Sequence, residues 1–151
     1  MASTTTEAVE FRIPRSGDTT LTGTGRLIGI VNNDPVSQTK KDERYHRWHN
    51  LALYQTTGGK YVLHIAYRTN FIDREKDHDR AHVFATVKEA IFFAREVYNP
   101  LEYYVGIPPH HVHYPKDGAF KAEFRERYRA DCLDLAAQAT ASGTLGETKI
   151  D

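Results

Sequence analysis

The rhythm of apolar and polar positions changes along this chain, and each change marks an element. Two apolar-rich runs, Trp48 to Thr56 and Lys60 to Thr69, flank Thr57-Gly58-Gly59. A Gly-Gly pair between β-type runs predicts a hairpin, because glycine reaches the positive φ that tight turns demand. Pairing the runs about Gly58-Gly59 sets Thr57 opposite Lys60. One face then carries Trp48, Asn50, Ala52 and Tyr54 beside Tyr61, Leu63, Ile65 and Tyr67. The other carries His49, Leu51 and Leu53 beside Val62, His64 and Ala66. Apolar groups on both faces place the hairpin inside a sheet, and a one-residue slip would change every cross-strand neighbour.

Further strands are expected near 26–31, where Leu27, Ile28, Ile30 and Val31 precede the turn Asn32-Asn33-Asp34-Pro35, and near 80–85 around Val83 and Phe84. A fifth is expected over 101–107, stopped by Pro108-Pro109. Val9, Phe11 and Ile13 alternate, a weak signal for a short edge strand.

The period then turns helical. Thr86-Val87-Lys88-Glu89 is a capping box, and Val87, Ala90, Ile91, Ala94, Val97 and Tyr98 form an apolar stripe that Phe92 and Phe93 widen. This predicts a well-buried helix over 87–98, ended by Asn99-Pro100. A second helix is expected over 120–139, where Phe120, Phe124, Tyr128 and Cys132 recur every four residues. These elements make an α+β fold, a mainly antiparallel sheet packed against two helices. Composition assigns 1–20 to a flexible N-terminal segment, 21–140 to one domain and 141–151 to a mobile tail.

At 151 residues the chain can bury a real core. Twenty basic and twenty acidic residues cancel, so no global field draws it to nucleic acid or an anionic membrane. No segment has the apolar length of a membrane helix. The start, Met1-Ala2-Ser3, lacks the basic region and apolar run of a secretory signal. A single cysteine, Cys132, permits no intrachain disulfide and favours a reducing compartment, so a cytoplasmic protein is expected.

The chemistry offered is sparse. Eight histidines fall in three groups: His46 and His49; His78 and His82; His110, His111 and His113. Convergence of His78 and His82 with the last group would make a metal site, although no pair sits in a recognised zinc framework. The acids Asp73, Glu75, Asp77 and Asp79 alternate with bases, but an EF-hand would need glycine where His78 stands. This segment is expected to be a solvated loop or edge whose charges discourage wrong pairing. Lys121, Arg125 and Arg129 form a basic row beside the aromatic row, a pattern suited to phosphate contact with base stacking. Cys132, mid-helix, has no neighbour to activate a thiolate.

Trp48, Tyr54, Tyr61, Tyr67, Tyr103 and Tyr104 offer more amphipathic ring than a small core needs, and such rings are enriched where proteins meet partners. The expectation is therefore a non-enzymatic binding or regulatory domain, without a cofactor, acting through a protein partner or self-association as a homodimer. The alternatives are a histidine-based metal-dependent enzyme and a single-strand nucleic-acid binder using the sheet aromatics and the basic row.

Overall fold

A computed structural model describes residues 8–34, 47–70, 75–104 and 117–142. Strands β1 (Val9–Ile13), β2 (Leu21–Val31), β3 (Arg47–Thr56), β4 (Tyr61–Thr69) and β5 (His78–Phe84) form one antiparallel sheet in sequence order. Helix α1 (Val87–Phe92) runs into a π-helical turn (Phe93–Val97), and helix α2 is Asp117–Ala141. The fold is α+β, with both helices on one face of the sheet.

The β3–β4 hairpin forms with Gly59 at φ 87°, but its loop is one residue longer than the Gly58-Gly59 pair. Thr56 N donates to Lys60 O at 2.8 Å, and Gly59 N donates to Thr56 O at 3.0 Å. Thr57-Gly58-Gly59 is thus a three-residue loop, a tight turn completed by a left-handed glycine. The register moves by one, to Gln55↔Tyr61 and Leu53↔Leu63. Each run keeps its own two faces but exchanges partners. Arg47, His49, Leu51 and Leu53 share the helix-covered face with Leu63, Ile65 and Tyr67. Trp48, Asn50, Ala52 and Tyr54 share the opposite face with Val62, His64, Ala66 and Arg68. This register puts the aliphatic halves of both strands on one side, which the Thr57–Lys60 pairing would not do.

Against that face lie Val87, Ala90, Ile91 and Ala94, with Tyr128, Cys132, Leu135 and Ala139 of α2. Each fully buried leucine or isoleucine there contributes roughly 1.5–3 kcal/mol. Helix α2 also docks through a polar clamp. Gln138 accepts from Ile30 N at 2.8 Å and donates to Ile30 O at 2.7 Å, next to the register shift between Leu27 and Gly29 in β2. A Cβ on Gly29 would press on the Leu135 side chain, so glycine lets helix and strand approach here.

The other face carries a smaller cluster of Phe11, Ile13, Val62 and Ala81, with Tyr54 stacked on Phe11 at 4.7 Å. The alternating Val9, Phe11 and Ile13 therefore form a strand, inside residues 1–20. The turn after β1 also reaches across to β5. Ser16 N donates to Asp79 O at 2.9 Å, and Asp79 N donates to Ser16 Oγ at 2.8 Å.

Three boundaries differ from expectation. The 26–31 strand extends back to Leu21. Residues 101–104 form turns rather than a strand, with Glu102 N donating to Asn99 O at 3.0 Å and Tyr104 N to Leu101 O at 3.1 Å. Asn99 Oδ1 also accepts from Leu101 N, an Asx turn that diverts the chain; 105–107 lie outside the described residues. The Thr86 capping box is present, with Glu89 N donating to Thr86 Oγ1 at 3.1 Å, but the helix it starts changes pitch at Phe93. The wider π turn delivers Tyr98, not Val97, to the buried stripe and leaves Val97 in solvent, while Phe92, which precedes the turn, is exposed because it lies on the helix face away from Val87, Ala90, Ile91 and Ala94.

Candidate functional site

Two features stand out: a buried polar knot at one end of the sheet and an exposed apolar surface at the β5 edge.

The knot is built from the strand ends. Arg47 opens β3, Tyr67 lies near the end of β4, and Glu75 precedes β5. Arg47 Nε donates to Glu75 Oε2 at 2.8 Å and to Oε1 at 3.0 Å, and the Tyr67 hydroxyl donates to Glu75 Oε1 at 2.7 Å. All three side chains are buried. Burial opposes the Arg47 charge, but the hydrogen bond and charge of Glu75 outweigh it and raise its pKa. Burial, then the bond to Glu75, push the Tyr67 hydroxyl well up, so it stays a donor. The Arg47 guanidinium also covers the Tyr104 ring, 3.9 Å from its centroid. A buried ion pair persists when added hydrogen bonds satisfy the carboxylate, as here.

One step along the same face, His49 sits among the rings of Tyr128 (4.6 Å) and Phe124 (5.1 Å), its Nε2 3.0 Å from the Tyr98 hydroxyl. Burial, then the charge of Arg127, lower its pKa to about 3, so the ring is neutral. Beside it lies a cleft of ≈ 220 Å³ lined by Asn33, Trp48, Phe124, Arg127 and Asp131. Burial pushes the Asp131 carboxyl up to about 6, while Asn33 Nδ2 donates to it at 3.0 Å. The cleft is below the size of most small-molecule sites, and among the described residues no serine, threonine or cysteine lines it.

The described acids of the charged segment, Glu75, Asp77 and Asp79, all accept hydrogen bonds from the sheet, and Asp73 lies outside the described residues. Besides Glu75, Asp77 Oδ1 accepts from Thr69 N at 3.0 Å. Asp79 Oδ1 takes Arg68 Nη2 and His64 Nε2, each at 2.8 Å. Burial opposes the Asp79 charge, but these two bonds lower its pKa.

The aromatic residues singled out by sequence do not gather on one surface. Tyr67 is fully buried, Tyr54 belongs to the second cluster, and Tyr61 packs on the main core. Tyr103 stacks on His78 at 3.7 Å, and Trp48 Nε1 donates to Asp34 Oδ1 at 2.9 Å. Tyr104 lies between Arg47 and Lys121, whose Nζ is 5.9 Å from the ring. Arg125 and Arg129 are exposed, Arg129 lying 3.7 Å from Glu126, while the Phe124 and Tyr128 rings beside them are buried. His82 packs on Phe93 at 4.5 Å, apart from His78. Among the described residues no group of three metal-ligating side chains converges. His110, His111 and His113 lie outside the described residues. Burial pushes the Cys132 thiol up to about 11, which makes it inert.

The second feature was hidden by the expectation that Phe92 and Val97 belong to the apolar stripe of a well-buried helix. Val83 on β5, Phe92 on α1 and Val97 at the end of the π turn are 53%, 60% and 56% exposed. With Phe84 and Phe93 they line an open depression of ≈ 600 Å³. No helix of the described residues is long and apolar enough to cross a membrane. Comparison with protein-family models, with curated proteins and with solved structures found no match to this chain.

Proposed function

We propose that this protein is a small non-enzymatic binding domain that acts through a protein partner or by self-association. The observation that carries the reading is the exposed apolar surface of Val83, Phe92 and Val97 on β5, α1 and the π turn. Large exposed apolar side chains that lie together, rimmed by charge, are the usual signature of a protein contact. The aromatic residues that first suggested binding support it less, since several serve the core. The nucleic-acid alternative loses its stacking platform on α2, where Phe124 and Tyr128 are buried. A cytoplasmic setting belongs to the same reading, supported by the buried free thiol of Cys132.

The test is a Phe92→Ser/Val97→Ser variant. It should keep the wild-type thermal melt and lose association, read by cross-linking in cells for a separate partner and by light scattering of purified protein for self-association. Association unchanged in the double variant would sink the reading.

A further inference from the structure

The charge order around Phe92 is antisymmetric. Lys88 and Glu96 each lie four positions from it, on opposite sides; Glu89 and Arg95 each lie three. All four are exposed, as is Phe92. Among the described residues, no ion pair within the chain engages Lys88, Arg95 or Glu96. Lys88, Phe92, Arg95 and Glu96 border one shallow depression, and Lys88 and Phe92 border the apolar one beside it. The aromatic ring thus stands between two recesses, with a base at one end and an acid at the other.

We propose that the partner at this surface is a second copy of the chain, the helical segment 87–97 of each, α1 with its π turn, running antiparallel to the other across a two-fold axis at Phe92. This rests on the binding-domain reading above. A two-fold interface must be self-complementary, because each residue meets the counterpart that the axis dictates. In an antiparallel helix pair centred on Phe92, positions equidistant from it face each other. Lys88 then meets Glu96 of the other copy, and Glu89 meets Arg95, each contact occurring twice. A parallel pair sharing the same centre would bring like charges together. The Glu89 carboxylate already caps the helix, accepting from Ala85 N at 3.1 Å, so Lys88 with Glu96 is the principal pair. On the axis the two Phe92 rings meet in an offset stack, a favoured aromatic geometry. The depression containing Val83 and Val97 receives the apolar flank of the other copy. Three apolar side chains and two ion-pairing sets per copy make a small interface, so dissociation on the order of 10 μM is expected.

Sedimentation equilibrium on the full chain, from about 1 μM to about 500 μM, reads this directly. The wild type should fit a monomer–dimer equilibrium, and Phe92→Glu should weaken it more than about tenfold by placing two carboxylates on the axis. Lys88→Glu and Glu96→Lys should each weaken it, since each sets like charges opposite one another. Mixed together, these two variants should associate more tightly than either alone, because opposite signs meet again across the axis. These side chains are exposed, and unchanged thermal melts establish that the variants fold. A wild type that stays monomeric throughout, or a mixture that associates no better than its components, would overturn the inference. A photo-cross-linking residue at position 92, used in cells, separates this failure from failure of the wider reading. An adduct of twice the chain mass supports the dimer. An adduct with a different protein, from a chain that is monomeric alone, overturns the dimer and leaves the binding domain standing. No adduct overturns both.

Discussion

The Nε2 atom of His49 and the hydroxyl oxygen of Tyr98 lie 3.0 Å apart, inside the layer between β3 and α2. This contact ties the end of the π turn to the sheet. It also fixes a neutral imidazole where water does not reach.

His49 makes the fold acid-labile. Its pKa is near 3 in the folded chain because of burial, then the Arg127 charge, and near 6.5 when unfolded. Below that unfolded value the unfolded chain binds the extra proton, so the contribution is complete above pH ~6.5 and is lost as pH falls toward ~3. The His49 contribution should fall by roughly 1 kcal/mol per pH unit in that window, and is read as a difference between wild type and variant because Asp131 acts in the opposite direction there. Urea midpoints measured across it, for wild type and His49→Gln, check this: the variant should show the shallower slope. Parallel slopes would count against a neutral His49.

Asp131 has the opposite sign. Burial raises its carboxyl to about 6, so the folded chain holds the proton more tightly, and stability falls as pH rises from ~4 to ~6. Asp131→Asn retains an acceptor for Asn33 and should stabilise the protein at pH ~7.5. Since the carboxyl is only partly buried, the gain is about 1 kcal/mol, with little effect at pH ~4. Equal effects at both values would argue that the carboxyl titrates normally.

Removing the carboxylate from the Arg47–Glu75 pair leaves a guanidinium in a dry site. Glu75→Leu should cost about 3–5 kcal/mol, whereas Arg47→Met/Glu75→Leu together should recover much of that loss. A double-mutant cycle by denaturant melt measures both. Additive losses would mean that the two side chains are not coupled.

The Gln138 clamp satisfies both backbone groups of Ile30 at a break in strand pairing. Gln138→Leu keeps the volume and strands those groups, at a cost of about 1–3 kcal/mol. Hydrogen exchange should report it locally, with faster exchange at Ile30 N than at Leu53 N. Unchanged protection at Ile30 would show that the clamp is dispensable.

Much of the scaffold was legible because it depends on local chemistry. Gly59 and the Thr86–Glu89 box act within a few residues, and the order of strands followed from alternation. The hairpin register was not legible, because two- and three-residue loops both accommodate Gly58-Gly59, and the choice decides which faces meet. The exposure of Val97 was hidden by the π turn, whose extra residue has no signature in the 87–98 periodicity, whereas Phe92 lies off the stripe of Val87, Ala90, Ile91 and Ala94 and does not widen it as expected. The Arg47–Glu75 pair lay among many exposed charges. Its one signal is that Arg47 shares strand parity with His49, Leu51 and Leu53, which puts it on the buried side. Tyrosine carried the least information, since Tyr67 and Tyr54 serve two different cores with the same ring.

The bond between Ser16 and Asp79 means that the first and last strands of the meander guard one another. An open sheet ends in unpaired backbone, which can template the addition of foreign strands. Here β1 covers β2, while the turn that follows β1 latches onto the start of β5. The described part of this polar N-terminal stretch, residues 8–20, is therefore the hem of the sheet. A chain trimmed at residue 20 would bare the Tyr54, Val62 and Ala81 surface and an unpaired β2 together, and its failure would take the form of aggregation rather than simple unfolding.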